Sequence, residues 1–137
     1  MTTRANLSPE APWIQISTTE HDWDAADPSL LTTMLSQLVL IRTFEEAALE
    51  LAAEGNIHGP AHSSIGQEGG AVGSVLPLTS ADTVNGSHRG HHQFIAKVLA
   101  HVAPHGIDPR EDFAADIRDV LLTTMAEICG LDRGFSH

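Results

Sequence analysis

The chain is short of cysteine and of positive charge, and each shortage excludes something. Cys129 is the only cysteine, so no disulfide can close within the chain, and a reducing compartment suits it. Seven Lys and Arg face 18 Asp and Glu, a formal net charge of −11. Phosphate backbones and anionic bilayers need a basic face, so neither nucleic acid nor a membrane surface is an expected partner. Long apolar runs are missing too: no uncharged apolar window reaches the roughly 18 residues that suggest a membrane span. The N-terminus lacks the basic-then-apolar order of a signal peptide, and Glu10, Glu20, Asp22 and Asp24 are unlike an organelle transit peptide. A cytoplasmic protein is the expectation.

What is present fits one domain: 137 residues, 42% of them hydrophobic, with no internal repeat and no low-complexity tract. Residues 1–27 read as an N-terminal extension. Its large apolar groups, Trp13, Ile14 and Trp23, either pin it to a larger body or belong to a mobile tail. Asp27-Pro28 is a helix start, with an N-cap acceptor and a proline at the first helical position. Leu31, Leu35, Leu38, Ile41, Ala48 and Leu51 or Ala52 then recur at steps of three and four, with Phe44 beside them, and Gly55 closes the run. The spacing predicts one long helix over 28–54 whose wide apolar face needs more than one neighbour. A loop at 55–64 precedes a helix of Gly, Ala, Val and Ser at 66–76, whose low propensity suggests the close approach of another backbone. Thr83-Val84 reads as a short extended segment and 85–90 as a loop. A helix follows at 91–102, then a connector and an amphipathic helix over 109–129 with Phe113, Ile117, Val120, Leu121, Met125 and Ile128 on its apolar side. A lone strand makes no sheet, so either the fold is all-α or the sheet lies in sequence outside these 137 residues. The second is the reading adopted.

Nine histidines are present, with four-residue spacing at His58/His62, His88/His92 and His101/His105. A zinc site would want such pairs on a helical face, yet Gly59-Pro60 and Pro104 break two of them. For His101, His105 and His137 an exposed surface position is the better account. Arg89 is the more specific feature. It lies in "NGSHRGHHQF", between flanking glycines and directly before a helix. Helix N-terminal amides plus a guanidinium fork suit a phosphate or carboxylate. The plain alternative is a capping loop with Arg89 paired to an acid. His62, in "GPAHSSIGQE", sits in another loop entering a helix. There the plain alternative has Ser63 or Ser64 as cap and Glu68 complementing the helix dipole.

The order "LIRTFEE", "GNIHGPAHSSIGQEGGAVG", "DTVNGSHRGHHQFIAK", "AEICG" resembles the alpha subunit, or alpha half, of the thiamine-diphosphate-dependent decarboxylating component of 2-oxo acid dehydrogenase complexes. That family includes the pyruvate, branched-chain 2-oxo acid and acetoin dehydrogenases. The likeness covers about residues 30–137 and implies an α/β thiamine-diphosphate-binding fold, of which this chain is the mainly helical N-terminal portion. It implies cofactor binding by Ser87, His88 and Arg89, with Arg89 the main cation on the diphosphate. The family usually has tyrosine where this chain has His88, and an imidazole can still donate a hydrogen bond there. His62 is placed at the active-site mouth as the catalytic-site residue, able to donate to a carboxylate or a developing oxyanion. The Gly/Ala helix would pack closely within the assembled subunits.

Two departures stand out. "AHVAPHGIDPREDFAADIRDVLL", residues 100–122, is longer than the family's link between its helices. No Gly-Asp-Gly occurs, so the Mg²⁺ ligands, like the sheet, are expected beyond His137, and 28–137 reads as the first part of a cofactor domain. No metal ligand is assigned within the chain. The implied partners are a beta subunit or fused beta half and a lipoyl-bearing acyltransferase, in an alpha2beta2-type assembly. The implied reaction is oxidative decarboxylation of a 2-oxo acid, with the isolated chain inactive. The alternative is a non-catalytic helical interaction module derived from the same family.

Overall fold

The computed structural model describes residues 15–108 and 110–136. Its regular structure is helical throughout, with five helices and no strand among the described residues. The first, α1 (Glu20–Ala25), is a helix that the extension was not expected to contain. The Asp22 carboxylate accepts from the backbone N–H and the hydroxyl of Thr19, both at 2.7 Å, and these bonds hold its pKa below the ordinary value. No residue of α1 is buried and Trp23 is 58% exposed, so among the described residues Trp23 is not anchored in the core. Trp13 and Ile14 lie outside the described residues.

The long helix α2 (Pro28–Ala53) starts and stops as its sequence indicates. Asp27 Oδ1 accepts from Ser29 N at 2.8 Å, and Gly55 follows the helix with φ +83°, the left-handed turn glycine adopts without strain. Its buried side is Gln37, Ile41, Phe44, Glu45 and Ala48. Leu35, expected on the apolar stripe, is 61% exposed. Leu35 and Val39 instead line an open apolar groove of about 360 Å³ with Ile107 and Phe113 from the connector.

Helix α3 (Glu68–Val75) turns Ala71, Val72 and Val75 into the core. Gly69, Gly70 and Gly73 face outward, and a Cβ added at any of them would meet nothing within 4 Å. The expected close backbone is therefore not supplied by the described chain. Thr83 and Val84 are exposed and irregular, and no strand forms there. Helix α4 (His91–Val102) has the expected bounds and touches α2, α3 and also α5 (Ala115–Ile128). α5 starts later than its pattern suggests because Asp108 folds onto Arg110, its carboxylate accepting from the Arg110 backbone N–H at 2.9 Å and from the guanidinium at 2.9 and 2.6 Å. That local turn competes with helix, and Phe113 is left in the connector.

The core lies between α2, α3, α4 and α5, with Ile41, Val72, Val75, Ile95 and Leu99 at its centre. Among the described residues no helix is long and apolar enough to cross a membrane.

Candidate functional site

Two irregular segments, 56–67 and 76–90, meet over the C-terminal half of α2 and the start of α4. Between them is a cleft of about 180 Å³. Glu45, His58, His62, His88 and His91 supply its polar wall, and Ala48, Leu49, Ile57 and Ile128 its apolar one. The His62 and His88 rings meet edge to face, with centroids 4.8 Å apart.

Arg89 crosses from one segment to the other, its Nη1 donating to the Ser63 carbonyl at 2.5 Å. Among the described residues no carboxylate pairs with it, so the plain alternative of an arginine tied to an acid is not what forms. Ser87 is exposed: its Oγ accepts from Arg89 N at 3.2 Å and shapes the turn, and, like Arg89, it does not line the cleft. Gly90 sits where a Cβ would lie 3.1 Å from the Ser87 carbonyl, a tight fit for any side chain. As the N-cap of α4 it contributes no capping side chain, so the first amides of α4 keep their partial positive charge.

Glu45 and Glu68 carry most of the anchoring. Glu45 is fully buried, and its two oxygens accept from different segments: Oε2 from Ser64 N at 3.0 Å and Oε1 from His91 Nδ1 at 3.2 Å. Burial alone would raise its pKa, but the bonds from His91 and Ser64 outweigh that and hold it at about 2. Because the carboxylate only accepts, the His91 proton is assigned to Nδ1. Glu68 accepts from Arg42 Nε at 2.6 Å and from Gly66 N at 3.1 and 3.0 Å. The Arg42 bond is the main reason its pKa also lies at about 2.

Glu68 therefore does more than complement a dipole: it ties α3 to α2. Neither serine caps α3, whose N-cap is Gln67. Ser63 Oγ accepts from Ile65 N at 3.2 Å, and the Ser64 amide goes to Glu45. The sequence pattern assigns no role to Glu45 or His91, and to Ser63 only that of a cap. The available signal was an acid on the Ile41–Ala48 side of α2, within an otherwise apolar stripe.

The histidine pairs separate. His58 and His62 both line the cleft, whereas His88 lines it and His92 is buried in α4. His101 and His105 are exposed, and His137 lies outside the described residues. Among the described residues no group of three or more His, Cys, Asp or Glu is placed to hold a metal ion.

Three curated relatives share stretches of this sequence. The alpha subunit of acetoin:2,6-dichlorophenolindophenol oxidoreductase from Bacillus subtilis (strain 168) is 39% identical over 64 residues, 47% of this chain and 19% of its own length. The protein of the same name from Cupriavidus necator is 34% identical over 83 residues, 61% of this chain and 22% of its own. The alpha subunit of the pyruvate dehydrogenase E1 component from Zymomonas mobilis is 33% identical over 113 residues, 82% of this chain and 26% of its own. The chain thus spans about a quarter or less of the relatives it matches. No family model and no solved structure matches it.

Proposed function

We propose that the chain is the N-terminal part of the alpha component of a thiamine-diphosphate-dependent 2-oxo acid dehydrogenase, and that the cleft between its two loops receives the cofactor's diphosphate end. The observation that carries this is the meeting of the His62 and His88 rings in the cleft beside the uncapped start of α4, with Arg89, outside the cleft lining itself, bonded to the adjoining Ser63. The similarity to dehydrogenase alpha subunits supports it.

The donor set fits an anion. A guanidinium has five N–H donors, so Arg89 keeps most of its fork after donating one to Ser63. The Glu45 carboxylate in the wall is itself satisfied by Ser64 and His91, which lessens its repulsion of a second anion. A cleft of about 180 Å³ is smaller than the about 300–1,000 Å³ of a complete ligand site. It therefore suits part of the cofactor. The remainder, with Mg²⁺, would be held by residues outside these 137 and by a beta subunit or fused beta half, within an α/β thiamine-diphosphate fold.

When bound, the cofactor supplies the carbanion chemistry that decarboxylates a 2-oxo acid, its acyl fragment going on to a lipoyl-bearing partner. The chain's own residues bind and orient. Arg89 neutralises diphosphate charge, His88 offers an imidazole donor beside it, and Ser87 holds the turn. His62, at the mouth, donates to substrate carboxylate or developing oxyanion. The test is a titration of activity against thiamine diphosphate with Arg89→Ala in the assembled enzyme. An unshifted curve would end the reading.

One observation favours a second reading, a helical interaction module. The groove bounded by Leu35, Val39, Ile107 and Phe113 is open and apolar. An assembled protein whose activity is independent of thiamine diphosphate would support that role.

A further inference from the structure

The contacts of the cleft form a closed circuit. Starting from Glu45, one oxygen leads to the Ser64 amide. The adjoining Ser63 carbonyl leads to Arg89. The chain from Arg89 enters α4 at His91, whose Nδ1 returns to the other Glu45 oxygen. Each of the three parts (α2, the His62 loop and the Arg89 loop) is thereby tied to both others. Among the described residues, Glu45 is the one side chain of α2 that bonds both to the His62 loop and to His91, where the Arg89 loop enters α4.

We infer that Glu45 is a positioning residue that sets the spacing between the His62 loop and the Arg89 loop, and through it the geometry of the anion cleft. This rests on the cofactor reading for its functional meaning, but the circuit itself is visible in the contacts above. Three features single Glu45 out. It is fully buried, so its bonds do not compete with bulk water. Its oxygens are divided between the loops, so neither bond replaces the other. It projects from α2, whose neighbouring Ile41, Phe44 and Ala48 are core residues, so the anchor is rigid. A buried carboxylate without its partners is costly, which is why it holds both loops at once.

The arm length is the testable quantity. Glu45→Asp keeps the charge and removes one methylene, so the carboxylate falls short of donors now at 3.0 and 3.2 Å. Glu45→Ala removes both bonds. Amide hydrogen exchange on the full chain reads each loop separately. We expect both variants to accelerate exchange about tenfold or more in segments 61–66 and 86–92 together, with α5 unchanged. Glu50→Ala, an exposed site on the same helix, should change neither. If Glu45→Ala unfolds the chain and accelerates α5 as well, Glu45→Asp decides. Acceleration in one loop alone, or in neither, overturns the inference.

A second arm separates this claim from the cofactor reading. In the assembled enzyme, Glu45→Asp should raise the half-saturating thiamine diphosphate about tenfold, and should add little to that shift in the double variant with Arg89→Ala. If Arg89→Ala shifts the curve and Glu45→Asp does not, the positioning role fails and the cofactor reading stands. If both loops loosen together and neither variant shifts the curve, the circuit stands as structure and the cofactor reading falls.

Discussion

Arg89 donates to the backbone carbonyl of Ser63, the residue after His62, so the cation proposed to meet the diphosphate also holds the loop that carries the imidazole of the cleft. The two roles separate by experiment. In the assembled enzyme, Arg89→Ala should weaken thiamine diphosphate by roughly ten- to a hundredfold, since a charge-assisted hydrogen bond is worth about 1.5–3 kcal/mol. Arg89→Lys should recover part of this, keeping the charge and losing the fork. Activity titrated against cofactor measures both.

His62→Ala should behave differently. Its ring faces His88 in the cleft and makes no backbone bridge among the described residues. Turnover at saturating cofactor should fall by about 10²-fold or more if it stabilises developing charge, while half-saturating cofactor moves little. A shift in cofactor affinity equal to that of Arg89→Ala would instead make His62 a diphosphate ligand.

Acid should loosen the site in a defined window. Glu45 has a folded pKa of about 2 against an ordinary 4.5. A depressed carboxylate pKa contributes stability in full above the unfolded value and loses it as pH falls through the folded one. The contribution, on the order of 3 kcal/mol for Glu45, is therefore lost between pH 4.5 and about 2. The Glu68–Arg42 pair adds to the same slope. Urea titrations across that range should show falling stability, and Glu45→Gln should flatten the fall. A wild-type curve that is flat through it would contradict the contacts.

The Leu35–Val39 groove should make the chain associate. Sedimentation velocity should show concentration-dependent association that increases with salt, as screening weakens repulsion between chains of net charge −11. Leu35→Lys should reduce it. A monomer at every concentration would count against an adhesive groove.

Gly70 offers a test of helix α3. An added Cβ there meets nothing within 4 Å. Gly70→Ala should therefore stabilise the isolated chain by about 0.5–1 kcal/mol through helix propensity. The same variant should impair assembly if a neighbouring subunit's backbone lies on that face. Thermal melts of the chain and subunit titration check the two outcomes.

Much of this was legible because its causes are local. Asp27-Pro28 and Gly55 mark α2 by capping chemistry that needs no tertiary partner. The bounds of α4 followed from its glycine-bracketed entry and the Pro104 turn. α1 was missed although Thr19 and Asp22 carry a capping pattern, because the residues around them have no apolar period. The start of α5 was misplaced because Asp108 binds Arg110, a contest between turn and helix that periodicity does not see. In the site, the loops and Arg89 stood out by composition. Glu45 did not, since an acid in a helix ordinarily reads as solvent-facing. Its two partners are distant in sequence, one of them a backbone amide with no side-chain signature.

Arg42 and Glu45 project from the same side of α2, about 60° apart around its axis. Both loops of the cleft therefore take their setting from the rotational phase of one helix. One residue inserted ahead of Arg42 would turn both anchors about 100° relative to the upstream half of the helix, while four would return them to within about 40°. Length changes in α2 should thus be tolerated with the period of the helix, provided that the inserted residues themselves keep the helix.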